Sequence, residues 1–252
     1  MYDLKIGKKN SFKFITPPEN GAQVIFRFFS TLIVWPLAKT KVTPNQVTSV
    51  RAVIAIGYLY LFSLGTPISM LWAVALFYIF EILDHVDGDL ARYTKQFSKT
   101  GPLLEQFIDT WSSRPSNLFG FCVALGMYNQ RHDILGFKLF GLTVLGRLLW
   151  LEYRDYFGWE RIAKGGPKKY QGILDAPNFQ MGSRNLFEVL YIWNNSFLLA
   201  GALFYWPISQ IFGVDSLAIG FAAVALLNNL PWIFIVLKGF ARATSSGANS
   251  GS

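Results

Sequence analysis

The residues in this chain with the means to do chemistry are four carboxylates. Asp84 and Asp87 close one apolar run, and Glu105 and Asp109 lie near the start of the next. At helical spacing Glu81, Asp84, Asp87 and Ala91 share one face, and Glu105 and Asp109, four apart, share another, while Asp89 points elsewhere. Ionisable groups in a membrane segment are costly and mark ion or substrate sites. Like-charged carboxylates held close cannot all stay ionised without a cation, so the set implies either protonated acids or a bound metal. Carboxylate oxygens suit Mg²⁺ or Mn²⁺, and the sequence lacks the Cys/His spacing of a zinc site. Gly88, beside Asp87, leaves room for a ligand or another backbone to approach. Taken singly, Glu81 and Asp89 read as interfacial acids reaching for water.

Helices suited to lipid must position these acids. The chain has 252 residues, of which 52% are hydrophobic, 17% aromatic and only 15% charged, a balance outside that of soluble proteins. Six stretches have the length and apolarity of a membrane span: about 45–64, 68–87, 102–127, 134–152, 186–207 and 216–237. The expected fold is all-α and integral to the membrane, one membrane-embedded domain over residues 1–242, with 243–252 a disordered or linker-like tail. Before the first span, residues 21–38 place Val24, Ile25, Phe28, Phe29, Leu32 and Ile33 on one face, with Arg27 and Ser30 off it. That pattern predicts an interfacial amphipathic helix, with a seventh span as the competing reading. "TPNQVT" (43–48) is a helix start: Thr43 caps, Pro44 takes the first position and Gln46 completes a capping box.

Charge sets the orientation. The formal net charge of +8 is concentrated in residues 1–51, in the loops after the second and fourth spans, and in the tail; Arg131 alone falls in the alternate loops. By the positive-inside rule both termini and the acidic helix ends face the cytoplasm. The basic excess then reflects topology and contact with anionic membrane lipids, and no motif points to nucleic acid. Lone Cys122 in an apolar stretch is a packing residue. Asn194, Asn195, Asn228 and Asn229, inside spans, are expected to join helices, and Pro231 to kink the last one.

The stretch from Asp84 to Asp109, "DHVDGDLARYTKQFSKTGPLLEQFID", resembles the signature of the CDP-alcohol phosphotransferase family, D-x₂-D-G-x₂-A-R-x₈-G-x₃-D-x₃-D. Asp84, Asp87, Gly88, Ala91, Arg92, Gly101 and Asp109 match by type and spacing, and Glu105 stands where the family has its third aspartate. The resemblance extends to six helices behind an amphipathic one and to a "TPN-x-x-T" opening of the first span. It implies a metal-dependent enzyme that transfers a phosphatidyl or other phospho-alcohol group from a CDP-linked donor, CDP-diacylglycerol above all, to an acceptor hydroxyl, releasing CMP. Two divalent ions, Mg²⁺ or Mn²⁺, would be held by Asp84, Asp87, Glu105 and Asp109, with Asp109 also the general base. Gly88, Ala91, Arg92 and Gly101 match the nucleotide-binding positions.

The acceptor alcohol stays open. Arg114, Arg147, Arg154 and Arg184 are candidates for its phosphate or acidic head group. The resemblance also allows a homodimer. The competing expectations are a catalytically impaired relative that only binds nucleotide or lipid, an aspartate-rich membrane prenyltransferase, and a cation transporter.

Overall fold

In a computed structural model of the chain, the described residues are 15, 16, 23–98, 100–163, 194–230 and 233. They form helices and connecting turns, with no strand among them. The chain divides into two compact units, residues 1–113 and 114–252.

The first unit holds α1 (Gln23–Leu37), α2 (Pro44–Leu64), α3 (Pro67–Thr94) and α4 (Gly101–Ser112). The expected cap at Thr43 is present: Gln46 N–H donates to Thr43 Oγ1 at 3.4 Å and Thr43 N–H to Gln46 Oε1 at 2.9 Å. Gly65 ends α2 in the left-handed region at φ 75°, where a side chain would be strained. Thr66 then caps α3, so a two-residue link joins two long helices. Between them Tyr58 meets Phe77 and Phe80 edge-on, at ring separations of 5.3 and 5.5 Å.

Both helices are long and apolar enough to cross a membrane. Their outward sides carry Val53 (68% exposed), Ile56, Tyr60, Ile68 and Trp72. A contiguous apolar exterior of that kind is what lipid, rather than water, accommodates. α3 continues seven residues past the expected end of its span, to Thr94. All of "DHVDGDLAR" is therefore helical.

α1 occupies the segment expected for the amphipathic helix, but its polar side faces inward. Arg27, Ser30, Thr31 and Val34 are buried, and Val24, Ile25, Phe28, Phe29, Leu32 and Trp35 are exposed. Val34 joins Val47, Val86 and Leu90 in a small core that locks α1 to α2 and α3.

The apolar stretch 102–127, expected as one span, is instead two helices, α4 and α5 (Leu118–Arg131). Three local effects explain the break. Ser112 and Ser113 donate their hydroxyls to Ile108 O and Asp109 O, at 2.6 and 2.8 Å, competing with the helical ladder. Pro115 lacks an N–H and disfavours helix at Arg114. Tyr58 OH then donates to Ser112 O at 2.8 Å, satisfying a carbonyl at the broken end.

The second unit contains α5, α6 (Leu135–Ala163), α7 (Asn194–Leu203), α8 (Tyr205–Phe212) and α9 (Ser216–Leu230). Phe121 packs on Phe137 and Phe140 between α5 and α6. Asn229 Nδ2 donates to Leu142 O of α6 at 2.9 Å, the helix-joining role expected of it. Arg131 pairs with Asp215, ahead of α9. Pro231 and the start of the expected fifth span lie outside the described residues.

Candidate active site

Three helices of the first unit converge on one acidic cluster. α3 supplies Asp84 and Asp87, α4 supplies Glu105 and Asp109, and α2 contributes Thr48 and Arg51. Carboxylate oxygens of Asp84, Glu105 and Asp109 all lie within 4.8 Å of one another. The Arg51 side chain, 2% exposed, reaches into this set: Nη1 sits 2.7 Å from Asp84 Oδ1, and Nη2 donates to Asp109 Oδ1. Its guanidinium lies 4.3 Å above the centre of the Phe80 ring, a cation–π contact that fixes its height along α2.

Asp87 is buried, and its Oδ2 accepts from Thr48 Oγ1 at 2.8 Å. It stands beside the trio and feels the charges of Asp84, Arg51 and Glu105.

Four carboxylates against one guanidinium leave three negative charges in a half-buried, apolar setting. Such a set has the oxygen chemistry of a hard-cation site. Asp84, Glu105 and Asp109 fit a divalent ion by composition and proximity, with Asp87 next to them. Glu105, one methylene longer than aspartate, still brings an oxygen into the cluster from an exposed position on α4.

The glycines and the arginine of the signature take up specific packing roles. A Cβ built at Gly88 would meet Arg92 Nη1 at 3.4 Å and Nη2 at 3.6 Å, so Arg92 folds back over the bare backbone. Gly101 N–H donates to Ser98 Oγ at 3.1 Å, and a Cβ there would stand 3.3 Å from Asn45 Oδ1. Asn45 Nδ2 also donates to Ser98 Oγ at 3.1 Å. Gly101 thus lets the start of α4 close against the start of α2. The Ala91 carbonyl accepts from Gln96 N–H at 3.2 Å where α3 ends.

Asp89 corrects the sequence reading. Expected to reach for water, it is fully buried between α3 and α1, with Arg27, Ser30, Thr16 and Arg92 donating to it. The cause is the inward polar side of α1, which supplies enough donors to hold a carboxylate out of solvent. His85 lies beside Asp84, with Nδ1 3.5 Å from its Oδ2, and its ring meets Phe26 edge-on at 5.7 Å.

Thr48 and Arg51 were not singled out from the sequence as site residues. The available signal was a positive charge two turns into an apolar helix, which a count of topology-setting residues absorbs. Of the four acceptor candidates, Arg114 and Arg147 are half-buried in the second unit. Arg184 and the side chain of Arg154 lie outside the described residues.

Apolar outer faces and a carboxylate cluster on three packed helices define a membrane protein, helical throughout its described residues, with an oxygen-lined acidic site. The family model described as CDP-alcohol phosphatidyltransferase matches residues 41–162, and over that segment the chain is similar to the family. The match contains Thr48, Arg51 and all four acids. Among solved structures the chain is similar to the phosphatidylinositol phosphate synthase PgsA1 of Mycobacterium tuberculosis, crystallised with CDP-DAG bound. The TM-score is 0.52 at 17% identity, over 81% of this chain and 89% of that one, a likeness of fold. No protein of curated function matches in sequence.

Proposed function

We propose that this protein transfers a phosphatidyl or other phospho-alcohol group from a CDP-linked donor to an acceptor hydroxyl, with release of CMP, in the synthesis of a phospholipid or related lipid. The observation that carries the reading is the cluster of Asp84, Glu105 and Asp109 around Arg51, inside the segment that matches the family. CDP-diacylglycerol is the proposed donor, supported by the ligand of the structural relative.

The chemistry is a displacement at phosphorus. An acceptor oxygen forms a bond to the phosphorus bearing the alcohol, the bond to the bridging pyrophosphate oxygen breaks, and CMP leaves with the bonding pair. Asp109 takes the proton from the acceptor hydroxyl. Arg51 holds Asp109 through Oδ1, which leaves Oδ2 for that proton. Arg92, on the exposed side of α3, binds a donor phosphate. Mg²⁺ or Mn²⁺ held by Asp84, Glu105 and Asp109, with Asp87 alongside, would neutralise the pyrophosphate charge and so favour departure of CMP.

The remaining parts of the proposal concern the setting. The chain crosses the membrane six times as one domain over residues 1–242, with both termini and the acidic cluster on the cytoplasmic side and α1 along the surface. Arg114, Arg147, Arg154 and Arg184 receive the acceptor, and the protein works as a monomer or homodimer.

The test uses purified full-length protein with CDP-diacylglycerol, Mn²⁺ and a panel of hydroxyl acceptors, reading CMP release and CDP binding. CMP release with one acceptor, abolished in Asp109→Asn while CDP affinity stays within about threefold, supports the mechanism. An active Asp109→Asn removes Asp109 as the base. CDP binding without CMP release from any acceptor favours a catalytically impaired relative, and absence of both sinks the reading.

A further inference from the structure

The buried carboxylate of Asp89 has no part in the chemistry above, and its surroundings exceed what charge compensation requires. Its Oδ1 accepts from Arg27 Nη1 at 3.0 Å, from Thr16 Oγ1 at 2.6 Å and from Arg92 Nη1 at 3.0 Å. Its Oδ2 accepts from Ser30 Oγ at 2.6 Å. Arg27 alone balances the charge: its side chain is 10% exposed, against 0% for Asp89. Arg92 is therefore a second cation on an anion already paired, and its side chain is 52% exposed. Thr16 Oγ1, itself donating to Asp89, accepts from Arg92 Nη1 at 3.2 Å. The same guanidinium nitrogen is thus fixed from two sides.

The result is a specific pose. Left to itself, an arginine in the last turn of a helix extends into solvent with its several torsions free. Here the guanidinium lies back across Gly88, the residue that follows Asp87 on α3. Its Nη1 hydrogens are spent on Asp89 and Thr16, which turns the rest of its planar donor fork into a preorganised anion receiver.

Stability is a poor explanation for this arrangement. A buried ion pair is commonly no more stabilising than apolar residues of similar volume. Three polar residues of α1 and its approach, Thr16, Arg27 and Ser30, all converge on one carboxylate that touches Arg92. Asp89 falls at an unspecified position of the resembled signature, so the pattern itself assigns it nothing.

We propose that Asp89 is a positioning residue: anchored by Thr16, Arg27 and Ser30, it holds the Arg92 guanidinium over Gly88 in the pose that receives a phosphate of the CDP-linked donor. The inference rests on the proposed function, since Arg92 must meet the donor for its pose to matter. α1 acts as the outer support of the donor site, and Thr16 is the link in direct contact with both Asp89 and Arg92.

The experiment is a double-mutant cycle on CDP affinity, measured by calorimetry with purified full-length protein and Mn²⁺, together with thermal unfolding. Arg92→Ala weakens CDP binding. Asp89→Asn weakens it by about tenfold, the scale of a misdirected contact, and raises KM for CDP-diacylglycerol while kcat changes by less than about threefold. The double variant binds CDP no more weakly than Arg92→Ala, because the two residues act as one. Thr16→Val, a milder change should Asp89→Asn fold poorly, weakens CDP by about threefold, and that loss too vanishes in the Arg92→Ala background.

A folded Asp89→Asn or Thr16→Val with wild-type CDP affinity overturns the positioning role while the proposed function stands. Losses that multiply in the double variants also overturn it, assigning Asp89 to the fold alone. A wild-type protein with no CDP affinity, unaffected by Arg92→Ala, removes the functional reading and the positioning role with it.

Discussion

Replacing Arg51 by methionine isolates the charge at the centre of the cluster. Methionine keeps an apolar stem against Phe80 and removes the guanidinium that meets Asp84 and Asp109. Without it, the oxygens of Asp84 and Asp109, within 4.8 Å of each other, repel with no internal cation. Two unit charges at about 4 to 5 Å and an effective dielectric constant of about 20 interact by roughly 3 to 4 kcal/mol. Removing one partner of a buried pair is independently known to cost about 3 to 5 kcal/mol. The side chains here are 2%, 25% and 34% exposed, so partial screening places the expected loss near the lower figure. At about 2 to 4 °C per kcal/mol for a chain of this size, ~3 kcal/mol corresponds to a fall in Tm of roughly 6 to 12 °C. The assay is thermal unfolding in detergent, first with EDTA and then with Mn²⁺. Mn²⁺ should raise the Tm of Arg51→Met by more than it raises that of wild type, because the ion supplies the missing positive charge to the same carboxylates. A variant as stable as wild type in EDTA, or one that Mn²⁺ stabilises no better than wild type, refutes the electrostatic account.

Two further substitutions probe neighbouring parts of the site. Thr48→Val removes the donor to the buried Asp87 Oδ2 and should cost about 1 to 3 kcal/mol in stability, measurable by thermal unfolding, with reduced CMP release. Glu105→Asp restores the aspartate of the resembled signature but shortens the arm that reaches the cluster. On the geometry here it should weaken Mn²⁺ binding by up to about tenfold, with Glu105→Gln weaker still because it also loses the charge; both are read by Mn²⁺ titration. Tighter Mn²⁺ binding by Glu105→Asp would show that α4 shifts to meet the ion.

The parts of this site legible in the sequence are those that depend on local spacing. Asp84 with Asp87 and Glu105 with Asp109 lie three and four residues apart, and helical geometry alone puts each pair on one face. Thr43, Pro44 and Gln46 announce the start of α2 for the same reason. The contacts of Arg51 and Thr48 are not local. Arg51 meets a carboxylate 58 residues away and Thr48 one 39 residues away, and single-chain periodicity carries no information about such pairs. Asp89 was misjudged for a different cause: amphipathic patterns are read on the premise that polar groups face water. α1 reverses that premise, turning Arg27 and Ser30 toward α3 and Phe28 and Phe29 outward. The break between α4 and α5 had its own signal in Ser112, Ser113 and Pro115, which a long hydropathy window averages away.

The inward polar side of α1 also constrains the order in which the chain is assembled. Arg27 is made 62 residues before Asp89, its buried partner. At roughly 5 to 20 residues per second of synthesis, Arg27 waits about 3 to 12 seconds for that carboxylate. During that interval α2 and most of α3 are synthesised while the guanidinium still needs hydration by water or pairing with a lipid phosphate. α1 can therefore settle into its final place only after "DHVDGDLAR" has left the ribosome, so the first of the described helices is among the last elements of its unit to dock.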